Sequence, residues 1–155
     1  MKLRRYILVL VALTMSIVAG AQNTDEIYEE AKALYDAKNY KAAVPKLKIA
    51  AEKGHKKAQY RLGRCYDKGH GVKEDNKVAF AWYSKSAAQG YAKGQYELGK
   101  CYMKGKGTTA NQEQAKVWLN KAVKNPKGGL KVKEKIKKDA KEGDKDAKNI
   151  QKLLK

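Results

Sequence analysis

The stretch Tyr60–Gly90 reads YRLGRCYDKGHGVKEDNKVAFAWYSKSAAQG, and a near-copy, YELGKCYMKGKGTTANQEQAKVWLNKAV, starts 36 residues later at Tyr96. Tyr60 meets Tyr96, Leu62 meets Leu98, Gly63 meets Gly99, Cys65 meets Cys101 and Tyr66 meets Tyr102. Further along, Gly69 and Gly71 recur as Gly105 and Gly107, Asp75 as Asn111, Ala79 as Ala115, Trp82 as Trp118 and Lys85 as Lys121. A period between about 20 and 50 residues is the signature of a solenoid, in which no unit can bury its apolar stripe alone and stacking makes a continuous core.

Each copy reads as two helices. Ala58, Leu62, Cys65 and Tyr66 recur at helical spacing and form one apolar face. Gly69 and Gly71 end that helix, because glycine accepts the left-handed conformation of a helix terminus. Asp75 is placed to cap the second helix by accepting from a free amide of its first turn. Asn111 takes the same role, with Gln114 positioned to complete a capping box. Ala79, Trp82, Tyr83, Ser86 and Ala87 give the inner stripe of the second helix. Gly90 closes it, and Asn125-Pro126 closes the next copy. Glycine costs about 1 kcal/mol in a helix interior, so Gly63 and Gly99 predict a close contact that a side chain would block. At this spacing the aromatic residues read as core, with small residues (Ala58, Ala79, Gly94, Ala115) making room for Trp82 and Trp118.

Ile27–His55 carries a looser version of the pattern. Ala31, Leu34 and Tyr35 make one face, Asn39-Tyr40 a tight turn, and Ala43, Leu47 and Ala50 a second face. The Lys-rich end offers Val132, Ile136 and Ala140 for one helix and Ala147, Ile150, Leu153 and Leu154 for another. It reads as a degenerate capping unit or as a basic tail. The fold class is therefore all-α, an α/α superhelical solenoid of helix-turn-helix repeats. The organisation is 1–21, 22–55 (hairpin), 56–90 (repeat), 91–125 (repeat) and 126–155 (Lys-rich helical cap or tail).

Residues 1–21 have the order of a cleavable export signal: Lys2, Arg4 and Arg5, an apolar run from Tyr6 to Val18, then Ala19-Gly20-Ala21. The run is short for a membrane span, which needs about 20 apolar residues. Cleavage after Ala21 predicts a periplasmic or extracellular protein and lowers the formal charge from +19 to +16. Residues 124–155 hold 12 Lys against 5 acids, a basic excess that favours anionic partners. Cys65 and Cys101 occupy equivalent positions, one repeat apart at about 10 Å. A disulfide needs Cα atoms within about 7 Å, so two buried free thiols are expected.

AQYRLGRCYDKGHGVKEDNKVAFAWYSKSAAQG, with its LG, Tyr, GxG-V, Asp, Ala, WY, K-AA and final Gly in order, resembles the Sel-one-like repeat (SLR), a relative of the tetratricopeptide repeat. The second copy departs at Thr108 and Leu119, and Ile27–Gly54 resembles the tetratricopeptide form. The resemblance implies an α/α superhelix that mediates assembly with proteins or ligands. It carries over no catalytic residue. Some secreted relatives tie each repeat with a disulfide, whereas this chain has one Cys per repeat.

The chain offers little for chemistry. His55 and His70 stand without neighbouring ligands at metal spacing, Gly69-His70-Gly71 lacks the GK[ST] ending of a phosphate loop, and Ser84 and Ser86 lack a His/Asp pairing. No catalytic, cofactor-binding or metal-ligating residue is nominated. The function expected is a non-enzymatic adaptor that binds a protein or peptide in the solenoid groove through solvent-facing positions of the first helices: Gln59, Arg61, Arg64, Gln95, Glu97 and Lys100. The alternative is an electrostatic binder of anionic lipid or lipopolysaccharide through Lys131, Lys135 and Lys138 on one face and Lys141, Lys145, Lys148 and Lys152 on another. No specific nucleic acid is expected, since the aromatics follow the core stripe. So short a stack also leaves weak homodimerisation open.

Overall fold

The computed structural model describes residues 23–155; the export signal expected at 1–21 lies outside them. Eight helices run in order: α1 Thr24–Asp36, α2 Tyr40–Glu52, α3 Lys56–Lys68, α4 Asn76–Ala88, α5 Ala92–Lys104, α6 Gln112–Val123, α7 Gly129–Lys141 and α8 Lys145–Leu153. They pair as four hairpins, and each helix packs on its neighbours in the chain, as a solenoid requires. No described helix is long and apolar enough to cross a membrane.

The caps follow the local sequence. The Asp75 carboxylate accepts from the amides of Lys77 and Val78 at 2.9 and 3.0 Å, and the Asn111 side chain accepts from Gln114 at 2.9 Å. The return half of the expected box does not form. The Asn111 amide donates instead to the Tyr102 carbonyl at 2.8 Å, tying α5 to the start of α6. Asn39 is not one half of a turn with Tyr40; it caps α2 by accepting from Ala42. Its neighbour Lys38 takes the left-handed turn at φ 61°.

The stack is close because it has small residues at its crossings. A Cβ on Gly63 would lie 2.7 Å from the Tyr83 ring, and one on Gly99 would lie 2.7 Å from Leu119. The contact expected at both glycines exists, and Tyr83 and Leu119 fill it. The tryptophans are only partly buried, each with a lysine over its ring: Lys85 at 4.4 Å and Lys121 at 4.3 Å. A helix has one face toward the core, and positions 83 and 119 own it; the tryptophans sit one residue off and cover the edge.

The two-glycine loops join successive units. Gly71 meets the backbone of Tyr40 at the start of α2, and Gly107 meets that of Asn76 at the start of α4. Lys106, inside the second loop, pairs with Asp67 on α3. Both cysteines are free and buried. The basic end forms two helices, with Val132, Ile136, Ala140, Ala147 and Ile150 buried. Of these, Val132, Ile136 and Ile150 join the core cluster that contains Leu119 and Val123.

Candidate functional site

A concavity of about 520 Å³ lies along the first helices of the last three hairpins. From α3 come Lys56, Lys57, Tyr60 and Arg64; from α5, Ala92, Lys93, Tyr96 and Glu97; from α7, Lys131, Val132 and Lys135. Three- and four-residue steps put each set on one helix face. Tyr60, Tyr96 and Val132 stand 36 residues apart, so equivalent positions of three units line the same cleft.

Of the six residues expected in the groove, Arg64 and Glu97 line it; Gln59 and Gln95 are buried, and Arg61 and Lys100 lie outside its lining. Gln59 is 5% exposed and Gln95 is 7% exposed. Gln59 Nε2 donates to the Ala51 carbonyl at 3.1 Å, and its Oε1 accepts from Gln89 Nε2 at 2.8 Å. One repeat on, Gln95 Nε2 donates to Ala87 at 3.5 Å and its Oε1 accepts from Asn125 Nδ2 at 3.0 Å. Gln89 also donates to the Gly54 carbonyl and Asn125 to that of Gly90, both at 2.9 Å. These amides form a ladder in which the start and the end of one hairpin donate to carbonyls at the end of the hairpin before it. They hold the units together, and the expectation that they face solvent is corrected. The 36-residue offset relating Gln59 to Gln95 was the signal available for this.

Arg61 is held rather than free: its guanidinium donates to Asp36 Oδ1 at 3.0 Å and to the Tyr28 hydroxyl at 3.2 Å, and lies 4.9 Å over the Tyr35 ring. Arg64 and Glu97 line the cleft. Lys100 pairs with Glu97 at 3.5 Å and falls in a smaller recess with Asp67, Cys101 and Lys106.

The lysines of the basic end are all exposed; the first expected face holds together on α7, and the second does not. Lys131 and Lys135 belong to the cleft. Lys138 follows one turn on along the same face, beyond the cleft lining, and pairs with Glu142 at 3.8 Å. Lys141 ends α7, and the left-handed turn at Gly143 separates it from Lys145, Lys148 and Lys152 on α8, so those four do not share one helix.

The electrostatics of the cleft are one-sided. Burial lowers the Lys93 pKa, helped by the positive charges of Arg61, Lys131 and Arg64. Burial raises the Tyr60 phenol well above its usual range, with the Glu97 carboxylate adding to it. Among the described residues no cluster of His, Cys, Asp and Glu could hold a metal ion. His55 instead caps α3, its Nδ1 accepting from Ala58 at 3.1 Å, and stacks on Tyr28. His70 stacks on Tyr40. Burial raises the Cys65 thiol to about 11 and the Cys101 thiol to about 12, which makes both poor nucleophiles.

Residues 56–91 and 92–126 each match the Sel1 repeat family. No curated protein matches the chain. Among solved structures, the Sel1 repeat protein from Oxalobacter formigenes is 38% identical with a TM-score of 0.59, covering 62% of this chain and 40% of its own. The protein c5321, a protective antigen present in uropathogenic Escherichia coli strains and displaying an SLR fold, is 27% identical with a TM-score of 0.69. That match covers 88% of this chain and 30% of c5321. The chain thus spans less than half the length of either. With two matched repeats inside an eight-helix stack, the chain is a Sel1-repeat protein of the SLR fold.

Proposed function

We propose that this protein is a non-enzymatic adaptor whose concave face holds an extended segment of a partner protein. The observation that carries the reading is the cleft itself: equivalent positions of three consecutive units line one continuous concavity, the kind of surface a solenoid offers a partner. The buried unreactive thiols and the histidines engaged in capping and stacking fit a binding role. An export signal at residues 1–21 would place the adaptor in the periplasm or outside the cell; N-terminal sequencing of the protein recovered from cells tests this, with Gln22 as the expected first residue. The groove itself is tested by filling it. Lys93→Trp should abolish capture of a discrete partner from envelope extract at high salt, and Lys148→Trp on α8 should leave capture intact. Equal capture by both variants would remove the groove from the reading.

A second reading has its own support in the exposure of Lys138, Lys141, Lys145, Lys148 and Lys152, which could contact an anionic envelope surface. Such binding would weaken steeply with salt, since exposed charges are screened beyond about 8 Å at physiological ionic strength. Vesicle binding that is insensitive to salt would exclude it.

A further inference from the structure

We infer that the segment held in this groove is an acidic peptide, about six residues long, with carboxylates set among apolar side chains. The inference rests on the groove reading above and names the chemistry of its occupant. Three helices supply cations to one cleft: Lys57 and Arg64 from α3, Lys93 from α5, Lys131 and Lys135 from α7. The cleft's one carboxylate, Glu97, is drawn toward Lys100 at 3.5 Å. Of these five cations only Lys135 has an ion-pair partner among the described residues, Asp139 on its own helix. The pKa of Lys93 is lowered first by burial and then by Arg61, Lys131 and Arg64, with Asp36 opposing, which fits the excess of positive charge that the cleft's lining shows. Carboxylates placed among these groups would relieve that repulsion, and charge-assisted hydrogen bonds to Arg and Lys are stronger than neutral ones.

The floor decides between anions. Tyr60, Tyr96, Ala92 and Val132 make it largely apolar. A peptide can seat aliphatic or aromatic side chains there while its carboxylates reach the cationic rim. A polyphosphate has nothing apolar to place on that floor. A membrane surface is flat, so its headgroups would meet the rim and leave the concavity empty. Nucleic-acid bases would need free ring faces to stack on, whereas Tyr96 is 6% exposed and the half-buried Tyr60 and Tyr91 pack edge to face on each other at 5.4 Å. The span from α3 to α7 is two helix spacings of about 8–10 Å each, which about six extended residues cover at about 3.3 Å apiece.

The experiment is selection from a degenerate octapeptide library on the purified chain, with sequencing of what is retained. The same selection is run on Arg64→Gln/Lys93→Gln in the groove and on Lys145→Gln/Lys148→Gln on α8, with helical content checked by circular dichroism. The expected result is enrichment of peptides bearing Asp or Glu beside Leu, Ile or Phe, with Kd raised at least about tenfold in the groove variant and unchanged in the α8 variant. Enrichment of neutral or basic peptides, lost on Lys93→Trp, would overturn the acidic assignment and leave the groove reading standing. No enrichment, or enrichment that survives Lys93→Trp, would overturn both. Displacement of the selected peptides by phosphatidylglycerol vesicles or inorganic polyphosphate, with tighter binding of either that depends on Arg64 and Lys93, would assign the cleft to a lipid or a polyphosphate instead.

Discussion

Gly90 and Gly107 both have φ of +74°, yet replacing them with Ala should have different consequences. The left-handed conformation costs an L-residue about 1–2 kcal/mol relative to glycine, and both variants incur it. At Gly90 nothing else happens, because no atom lies within 4 Å of the added Cβ. At Gly107 the Cβ would stand 2.0 Å from the Asn76 carbonyl oxygen and 2.6 Å from its carbon. That is backbone at the first turn of α4, which cannot rotate away as a side chain could. The loop must move by more than 1 Å relative to α4, pulling on the Lys106–Asp67 pair. Overpacking of this kind adds about 1–3 kcal/mol. Gly107→Ala should therefore destabilise by about 2–5 kcal/mol and Gly90→Ala by about 1–2 kcal/mol. Gly54→Ala serves as a second control, since Gly54 has φ of +89° and open space around it. Urea unfolding followed by circular dichroism gives the difference directly; with a slope of about 1–3 kcal/mol per molar urea, the extra term of about 1–3 kcal/mol at Gly107 lowers the midpoint by about 0.3–3 M. Equal midpoints for the three variants would refute the claim that the two-glycine loop docks the units, and would reduce the glycine's role to its backbone conformation.

Two further outcomes are expected. Gln95→Ala should destabilise the chain by about 0.5–1.5 kcal/mol per lost hydrogen bond, because it removes one bond to the buried Ala87 carbonyl and one from Asn125, each of which keeps a second partner; Lys93→Ala, two residues away on the cleft side, should leave the thermal midpoint nearly unchanged, and the reverse order would contradict the ladder. The thiols give a pH dependence. Their folded pKa values lie above the ordinary value of 9.0, at about 11 and about 12. The folded state therefore keeps protons that the unfolded state releases. Their contribution is fully present below about pH 9 and is lost as pH rises through the folded values, at about 1.4 kcal/mol per unit for each thiol. Cys65→Ala/Cys101→Ala should flatten the fall in urea midpoint between pH 9 and 10, whatever its effect at pH 7; an unchanged slope would show that the thiols are not held protonated.

Much of the architecture was legible in the chain because repetition and periodicity are local properties. A 36-residue offset aligns Leu62 with Leu98 and Asp75 with Asn111, and each residue acts within its own hairpin. The ladder of Gln59, Gln89, Gln95 and Asn125 escaped this reading for a physical reason. A glutamine beside an apolar stripe looks solvent-facing until the next unit arrives with the carbonyl it bonds. The same applies to Trp82 and Tyr83. Both suit a core, and only the crossing of α3 at Gly63 shows which of the two the helix turns inward.

The sequence alone determined that this protein is an all-α stack of repeated hairpins and where the caps at Asp75 and Asn111 and the glycine stops fall, since these depend on spacing along the chain. Tertiary structure decided how charge is shared between units. Lys131 and Lys135 read as part of a basic tail, and the packing of α7 beside α5 brings them into the cleft that Arg64 and Lys93 enter from the other units. Charge is written along the chain, but the field a partner meets is summed across helices that only stacking brings together.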